Sequence, residues 1–198
     1  MLFFDGLTDV PPGKLATIVT SLEMLAPPQP RPVPAGTWAV RRVQRPALDW
    51  YRDLYRRIGE EWLWFSRLAM ATDVLRQILQ SPEVHIYALV ADGHEEGLLE
   101  LDFRTAGDCE LAFFGVTSAL LGRGAGRFLM NHAIELAWSH PIQRFWVHTC
   151  TLDHPGALDF YRRSGFKPFR TQVEVLDDPR LTGLLPRDAA PHVPLIEA

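Results

Sequence analysis

The sequence predicts an α+β fold, here a mixed α/β domain in which helices pack on a mixed sheet. Strand and helix patterns follow the order strand, helices, a run of strands, helix, strand, helix, strand. The run of strands contains the turn signal Asp92-Gly93, which is typical of an antiparallel hairpin and argues against a purely parallel, doubly wound sheet. The chain has 198 residues, 47% of them apolar, so one compact domain can bury a sizeable core.

The first 35 residues are predicted to form an N-terminal arm outside the main fold. Apolar residues after Pro11 and Pro12 recur at helical spacing and indicate a short helix: Leu15, Ile18, Val19, Leu22 and Leu25. The stretch PPQPRPVP, residues 27–34, suits neither a helix nor a central strand, so we expect an extended connector. The main domain is therefore placed at residues 36–178. The proline-rich tail, residues 179–198, is expected to lie on the surface.

The main domain is predicted to start with one strand and several helices. Residues 37–43 form the strand, and Pro46 suits the first turn of the following helix. Gly59 is expected to divide this helical stretch, whose apolar positions are Leu48, Tyr51, Tyr55, Ile58, Trp62 and Phe65. A further helix begins at residue 73 with Thr72 as its N-cap.

In the second half of the domain, the sequence predicts five strands and two helices. The strands are expected at 84–91, 97–103, 109–117, 144–152 and 169–176, and the helices at 123–139 and 155–164. Gly165 suits the left-handed position that ends the second of these helices. Phe166 should then fold back onto its last turn.

Composition and charge exclude several classes of protein. The formal net charge is −4 and the pI is about 6.0, which argues against non-specific nucleic-acid binding. The start lacks a basic leader, and no apolar run approaches the ~20 residues that span a bilayer, so we expect a cytoplasmic protein with no membrane association. Cys109 and Cys150 are expected as reduced, buried thiols, although one disulfide stays open. No pair of the seven histidines has metal-site spacing, so no metal is predicted.

A glycine-rich turn, GRGAGR at residues 122–127, lies between a predicted strand and a predicted helix. Glycines let the backbone approach a ligand closely, and the N–H groups and dipole of the helix start favour a pyrophosphate. Arg123 and Arg127 add positive charge. The turn is neither a Walker loop nor a full dinucleotide fingerprint, and a plain tight turn is the alternative.

Two motifs in the right order resemble the GNAT N-acetyltransferase family. The stretch VHTCTLDHPGALDFYRRSGF, residues 147–166, is similar to the strand and short helix that end this fold, with Ala157, Phe160, Tyr161, Gly165 and Phe166 at the motif positions. One strand upstream, Val116 and the loop Leu121–Gly126 match the family's pyrophosphate loop. The resemblance covers residues 36–178 by order of elements and is strongest over residues 110–169.

The resemblance implies a mostly antiparallel sheet flanked by helices and transfer of an acetyl group from acetyl-CoA, as cosubstrate, to an amine by direct attack on the thioester. Leu121 replaces the usual Gln or Arg, and His154 replaces a frequent Asn. His154 therefore either contacts CoA or caps the short helix. The implied cofactor residues are Val116, Leu121, Gly122, Arg123, Gly124, Ala125, Gly126, Arg127 and His154.

Acetyl transfer needs a base, donors toward the carbonyl oxygen and a proton for the departing thiolate. Glu110 is the first candidate for the base, with Glu100 and Asp102 as alternatives, and each could equally be a solvated residue. The resemblance implies that a bulged strand supplies backbone N–H groups, and the matching residues are Phe114, Gly115 and Val116, with Gly115 suited to the bulge. It also implies Tyr161 as proton donor, the alternative being a tyrosine packed at the helix edge.

The acceptor site is expected near the aromatic segment GEEWLWF, residues 59–65. Trp64 is the pocket candidate, with Glu60 or Glu61 holding a cationic group, whereas Trp62 and Phe65 are expected in the core. The acceptor is a small-molecule or peptide amine, and the N-terminal arm leaves a homodimer open. Two other functions stay open: a non-catalytic acyl-CoA-binding or sensing module, and an enzyme for another phosphate ligand such as a nucleotide.

Overall fold

The structure, a computed structural model that describes residues 5–197, has the mixed α+β fold that the sequence predicts. The strands are β1 (Lys14–Met24), β2 (Trp38–Arg42), β3 (Val84–Ala91), β4 (His94–Asp102), β5 (Asp108–Val116), β6 (Arg144–Cys150) and β7 (Lys167–Asp177). The helices are α1 (Leu48–Gly59), α2 (Ser66–Ala69), α3 (Thr72–Gln80), α4 (Ala125–Trp138) and α5 (Ala157–Arg163). The strands form one sheet in the order β2-β3-β4-β5-β6-β1-β7, in which β5 and β6 are the parallel pair and the others are antiparallel.

The predicted N-terminal helix is wrong, because its residues form strand β1. This strand lies inside the sheet, where Val19 pairs with Cys150 of β6 and with Gln172 of β7. Burial alternates at its start, with Leu15 and Thr17 buried and Ile18 exposed, as a strand requires. The residues that pair with β1 come more than a hundred positions later in the chain, so local spacing could not reveal them. The predicted arm thus contributes a strand to the same sheet as residues 36–178.

The proline-rich connector between β1 and β2 has no helix or strand, as predicted. It runs over α4 and is held there by side chains. The Nδ2 of Asn131 donates to the carbonyl of Arg31 at 2.8 Å, and Arg127 Nη1 donates to the carbonyl of Pro32 at 2.8 Å. Pro34 lies close to Gly124, where a Cβ atom would come within 2.5 Å of the proline ring. The connector is therefore part of the folded domain.

Helices cover both faces of the sheet. Helix α4 packs Leu129 and Ala133 on the face that also buries Phe145, whereas α1 and α3 pack Leu54 and Leu75 on the opposite face. Both cysteines are free thiols, and Cys109 is buried as expected, whereas Cys150 is only partly buried because it lies at the end of β6. Among residues 5–197, the structure contains no helix with the length and apolar character needed to cross a membrane.

The ends of two helices test the predicted caps. The cap of α5 is confirmed, because Gly165 has φ of 103° and the Phe166 N–H donates to the Tyr161 carbonyl at 3.1 Å. The cap of α3 is wrong by one residue, since Ala71 occupies the N-cap position and makes no side-chain bond. Thr72 is already the first helical residue.

The C-terminal tail does not lie wholly on the surface, contrary to prediction. Arg180 is only 3% exposed, is paired with Asp178 at 2.7 Å and donates to the Val193 carbonyl at 2.9 Å. Leu185 packs with Leu63 and other apolar residues in a small core. A buried arginine that binds tail carbonyls is what draws this proline-rich segment back onto the domain.

Candidate active site

The two parallel strands diverge and leave a wedge in the sheet. Strands β5 and β6 pair only where Asp108–Glu110 faces Arg144–Trp146. Beyond this point β5 stays paired with β4 as far as Val116, and β6 stays paired with β1 as far as Cys150. The inner edge of β5 from residue 111 to residue 116 therefore has no strand partner. Such an edge can bind an extended ligand through its backbone groups.

A bulge lies in β5 at the start of the wedge, at Ala112 and not at the predicted Gly115. Leu101 pairs with Leu111 and Glu100 pairs with Phe113, so Ala112 is the extra residue. Gly115 stays in regular register. Its lack of a side chain serves close packing instead, because a Cβ there would lie 2.5 Å from Cγ2 of Ile58.

A cavity of about 600 Å³ occupies the wedge and gathers residues from distant segments. It is bounded by the free edge of β5, the glycine-rich turn, the start of α5 and the connection between α1 and α2. Of the predicted site residues, the following line it: Trp64, Phe114, Gly115, Val116, Leu121, Gly122, Gly124, Gly126, Arg127, His154 and Tyr161. The sequence thus identifies many of the residues that the fold brings together.

The glycine-rich turn joins β5 to α4 at one end of this cavity. Gly122 and Gly124 have φ of 73° and 92°, a region that side chains disfavour, and Gly124 is the N-cap of α4. The first N–H groups of α4, including that of Gly126, have no acceptor within the helix. Among the predicted residues, Arg123 is exposed and does not line the cavity, and the Ala125 side chain is fully buried. The turn can therefore bind an anion mainly through its backbone.

Tyr161, on the last turn of α5, reaches the cavity from a buried position. It is 8% exposed, and burial together with the nearby charge of Asp153 raises the pKa of its hydroxyl above the ordinary value. The phenol therefore keeps its proton at neutral pH and can act as a donor.

Glu110, the first predicted base, is near the cavity but does not line it. Its Oε1 lies 3.4 Å from Nδ1 of His148, and His148 does line the cavity. The hydrogen bond that the imidazole donates to Glu110 raises the pKa of His148 against the opposing effect of burial, and the charges of Asp153 and Glu174 also raise it. The chain therefore presents an oriented imidazole to the cavity, with the carboxylate behind it.

The two alternative carboxylates are engaged elsewhere. Glu100 is completely buried, accepts a hydrogen bond from Tyr51 and is paired with Arg67. Asp102 is paired with Arg104. Neither lines the cavity, so the structure does not place either where a base is needed.

The chain matches one protein family over most of the domain just described. The family model described as "Acetyltransferase (GNAT) family" matches residues 45–166. The chain belongs to the GNAT acetyltransferase family. The resemblance predicted from the two motifs is confirmed, and membership supports acyl transfer as the general activity. No curated protein sequence matches the chain.

Solved structures share this GNAT fold at low sequence identity. The GCN5-related N-acetyltransferase from Sphaerobacter thermophilus is 20% identical with a TM-score of 0.58, and the match covers 85% of this chain and 53% of that one. The GCN5-related N-acetyltransferase from Kribbella flavida is 19% identical with a TM-score of 0.55, over 86% of this chain and 63% of that one. The IAA acetyltransferase from Bacillus cereus ATCC 14579 is 19% identical with a TM-score of 0.54, over 68% and 79%. This chain thus spans less than two thirds of the first two proteins.

The cavity wall formed by the connection between α1 and α2 is aromatic, and its residues differ in part from those predicted for the acceptor pocket. Trp64 lines the cavity and its Nε1 donates to Oδ1 of Asp153 at 3.0 Å. Trp62 and Phe65, expected in the core, also line the cavity. Glu60 and Glu61 do not, because a short 3₁₀ helix, Glu60–Trp62, directs them elsewhere.

Oε2 of Glu60 lies 4.0 Å from Nε of Arg56, and the side chain of Glu61 is exposed. His154 does not cap α5, whose N-cap is Gly156, but its Nδ1 accepts the Gly156 N–H at 2.9 Å in the turn that leads into the helix. Its ring packs against Trp62 with centroids 5.1 Å apart, at the edge of the cavity. The imidazole therefore orders the start of α5.

Sequence reasoning missed several cavity residues, namely Arg31, Tyr55, Asp153, Arg163 and Glu174. Arg31, Tyr55 and Glu174 lie outside the two motifs, so no local signal marks them. Asp153 and Arg163 lie inside the motif-bearing stretch 147–166 but occupy none of its motif positions. His148 was detectable, because it lies in the same stretch and an imidazole is suited to proton transfer. Within residues 5–197, no three histidine, cysteine or acidic side chains are grouped so that they could hold a metal ion.

Proposed function

We propose that the chain is an N-acetyltransferase that moves the acetyl group of acetyl-CoA to the amine of a small-molecule or peptide acceptor. The observation that carries this proposal is the unpaired edge of β5, which leads through a short 3₁₀ helix, Ser118–Leu120, into the glycine turn at the start of α4. An extended thiol-bearing arm would pair with that edge, and a pyrophosphate would meet the N–H groups of the turn.

The residues present fit this cosubstrate. The positive φ of Gly122 and Gly124 turns backbone toward a ligand, and Arg127 adds a positive charge beside them. The substitution of Leu121 for Gln or Arg costs little in this arrangement, because backbone groups do most of the binding. Acetyl-CoA supplies an activated thioester, so the protein needs only to position it and to move protons.

Backbone groups of the free edge would stabilise the charge that develops on the carbonyl oxygen. Phe114, Gly115 and Val116 all line the cavity, and because the Thr117 N–H donates to Glu96 of β4, alternation along the strand directs the N–H groups of Phe114 and Val116 to the free edge. Fixed donors in a site that excludes water are typically worth about 3 kcal/mol each in the rate-limiting barrier.

His148 would take the proton from the attacking amine, with Glu110 as a positioning residue. The imidazole lines the cavity and the carboxylate holds its other ring nitrogen, so the free nitrogen is directed at the acceptor. As the new C–N bond forms and the C–S bond breaks, Tyr161 would give its proton to the departing sulfur. The amine proton is left on His148, and water then restores both groups.

A binding experiment with a matched control tests whether the glycine-rich turn binds the pyrophosphate. Gly122→Asp puts a carboxylate where the pyrophosphate would lie, whereas Gly93→Asp makes the same change at φ of 81° in the β3–β4 hairpin, also with nothing within 4 Å. We expect calorimetry to give tight acetyl-CoA binding for the parent and for Gly93→Asp. We expect at least about a hundredfold weaker binding for Gly122→Asp, from charge repulsion and lost N–H contacts.

A thiol-release screen with amine acceptors tests turnover. Release of CoA that depends on an acceptor supports the transferase, whereas binding without release for every acceptor favours an acyl-CoA-binding module. Equal acetyl-CoA binding by both glycine variants would contradict the proposed pyrophosphate site at the glycine-rich turn. The cytoplasmic location and a homodimer stay predictions.

A further inference from the structure

Three arginines from separate segments line the same cavity. Arg31 comes from the proline-rich connector, Arg127 from the first turn of α4 and Arg163 from the end of α5. Among the ion pairs formed by residues 5–197, none involves these three side chains. The fold therefore gathers positive charge here without supplying a carboxylate to balance it.

The connector is fixed so that Arg31 belongs to this cluster. Asn131 binds the backbone of Arg31 twice, since its Oδ1 accepts the Arg31 N–H at 3.3 Å and its Nδ2 donates to the Arg31 carbonyl at 2.8 Å. Asn131 lies one helical turn beyond Arg127, which is a rise of about 6 Å along α4. The cluster thus extends along the helix, away from the glycine turn that precedes it.

The cluster is electrostatically unfavourable by itself. Partial burial and the charges of Arg127 and Arg163 together lower the pKa of Arg31. Guanidinium groups that repel one another are stabilised by an anion that can accept hydrogen bonds from several of them, and a phosphate monoester does so with two negative charges. Because the backbone of Gly122–Gly126 is already assigned to a pyrophosphate, the arginines fit a second anionic group of the same ligand.

We propose that Arg31, Arg127 and Arg163 bind the 3′-phosphate on the ribose of CoA, so that the N-terminal connector forms part of the cofactor site. This inference rests on the proposed function. It assigns a binding role to a segment outside the two family motifs and explains why the connector is held on α4 by side-chain bonds. The site selects acetyl-CoA over a cofactor that lacks the 3′-phosphate.

The test compares acetyl-CoA with 3′-dephospho-acetyl-CoA by calorimetry, in the parent and in Arg31→Gln and Arg163→Gln. Arg162→Gln is the matched control, because Arg162 is the neighbour of Arg163 on α5 and is paired with Asp159 outside the cavity. We expect the parent and the control to bind the dephospho ligand about 10- to 100-fold more weakly than acetyl-CoA. We expect each cluster variant to lose about tenfold for acetyl-CoA and to bind the dephospho ligand as the parent does.

The outcomes separate this inference from the proposed function. Equal binding of the two ligands by the parent overturns the 3′-phosphate site and leaves the transferase proposal standing. The same fold loss for both ligands in Arg31→Gln also overturns it, since the arginine would then act on the pyrophosphate. Binding of neither ligand by the parent overturns the proposed function and this inference with it. The comparison of the two ligands in the parent protein needs no variant, so it tests the 3′-phosphate site even if a variant folds poorly.

Discussion

The two ends of the cavity differ in the protein groups that line them: backbone groups at one end and side chains at the other. At the end proposed to bind the cofactor, the cofactor side, the glycine turn and the free edge of β5 offer backbone groups. At the end proposed to bind the acceptor, the acceptor side, Tyr55, Trp64 and His148 offer side chains from three separate parts of the chain. Backbone geometry follows from a short local sequence, whereas a side-chain wall depends on the packing of distant elements. The cofactor side is therefore expected to be shared with other proteins of the family, and the acceptor side to be particular to this chain.

The two ends also differ in charge. Arg31, Arg127 and Arg163 lie toward the cofactor side, whereas Asp153 and Glu174 line the cavity with the acceptor-side residues. An anionic cosubstrate and a cationic amine would therefore be attracted to opposite ends of one cavity. This separation allows a substitution to disturb one side and leave the other intact.

The largest expected effect comes from His148→Gln. Loss of the base should lower kcat/KM for the amine about 10²- to 10⁴-fold, whereas the dissociation constant of acetyl-CoA should stay unchanged. Steady-state kinetics with an acceptor found by thiol release, together with calorimetry, checks both values. A variant that loses acetyl-CoA binding to the same degree as activity would show that the two sides are not separable at this residue.

A smaller effect, of opposite sign at two positions of the cofactor side, is expected for two glycine-to-alanine changes. Gly115→Ala places a methyl group 2.5 Å from Cγ2 of Ile58, so the free energy of unfolding should fall by about 1–3 kcal/mol. Gly126→Ala, whose nearest atom is 4.0 Å away, should raise it by about 0.5 kcal/mol. Urea unfolding measures both. Equal destabilisation would contradict the close packing assigned to Gly115.

Trp64→Phe should act on the acceptor side alone and more weakly. It removes the hydrogen bond from Trp64 Nε1 to Asp153. Asp153 still accepts hydrogen bonds from the Thr149 hydroxyl and the Cys150 N–H, so its carboxylate stays in place. We expect KM for the acceptor to rise about fivefold, which corresponds to about 1 kcal/mol, with acetyl-CoA affinity unchanged. An unchanged KM for the acceptor would mean that the hydrogen bond from Trp64 to Asp153 does not contribute to acceptor binding.

Glu110→Gln should give the smallest change, a shift of the pH profile. His148 must be neutral to accept a proton, and the hydrogen bond that its imidazole donates to Glu110 raises its pKa above the usual 6.5. Without that carboxylate the pKa falls, so the acid limb of kcat/KM should move to lower pH while the plateau is largely retained. Loss of activity at every pH would instead identify Glu110 as the base, as the sequence alone suggested.

The sequence predicts the parts of the molecule whose signals are local. The glycine turn, α4, the capped end of α5 and Tyr161 all lie within two continuous stretches, and the structure brings them to one cavity. The N-terminal strand was missed because Thr17 finds its partner Thr151 134 residues later. The base that we propose, His148, differs from the predicted Glu110 for a related reason. Alternation along β5 puts Glu110 on a face but does not reveal that His148, on the neighbouring strand, stands between it and the cavity.

The interior position of β1 has a consequence for how the protein is made. During translation this strand leaves the ribosome first, but β6 and β7, the strands that flank it, are synthesised last. Its apolar residues, among them Leu22 and Met24, stay without a place in the sheet until β6 and β7 have been synthesised, and long-range pairing of this kind is slow. Arg31 follows β1 in the chain, so a nascent chain that stops before β7 would lack the proposed cofactor site, and acetyl-CoA binding would report that β7 has joined the sheet.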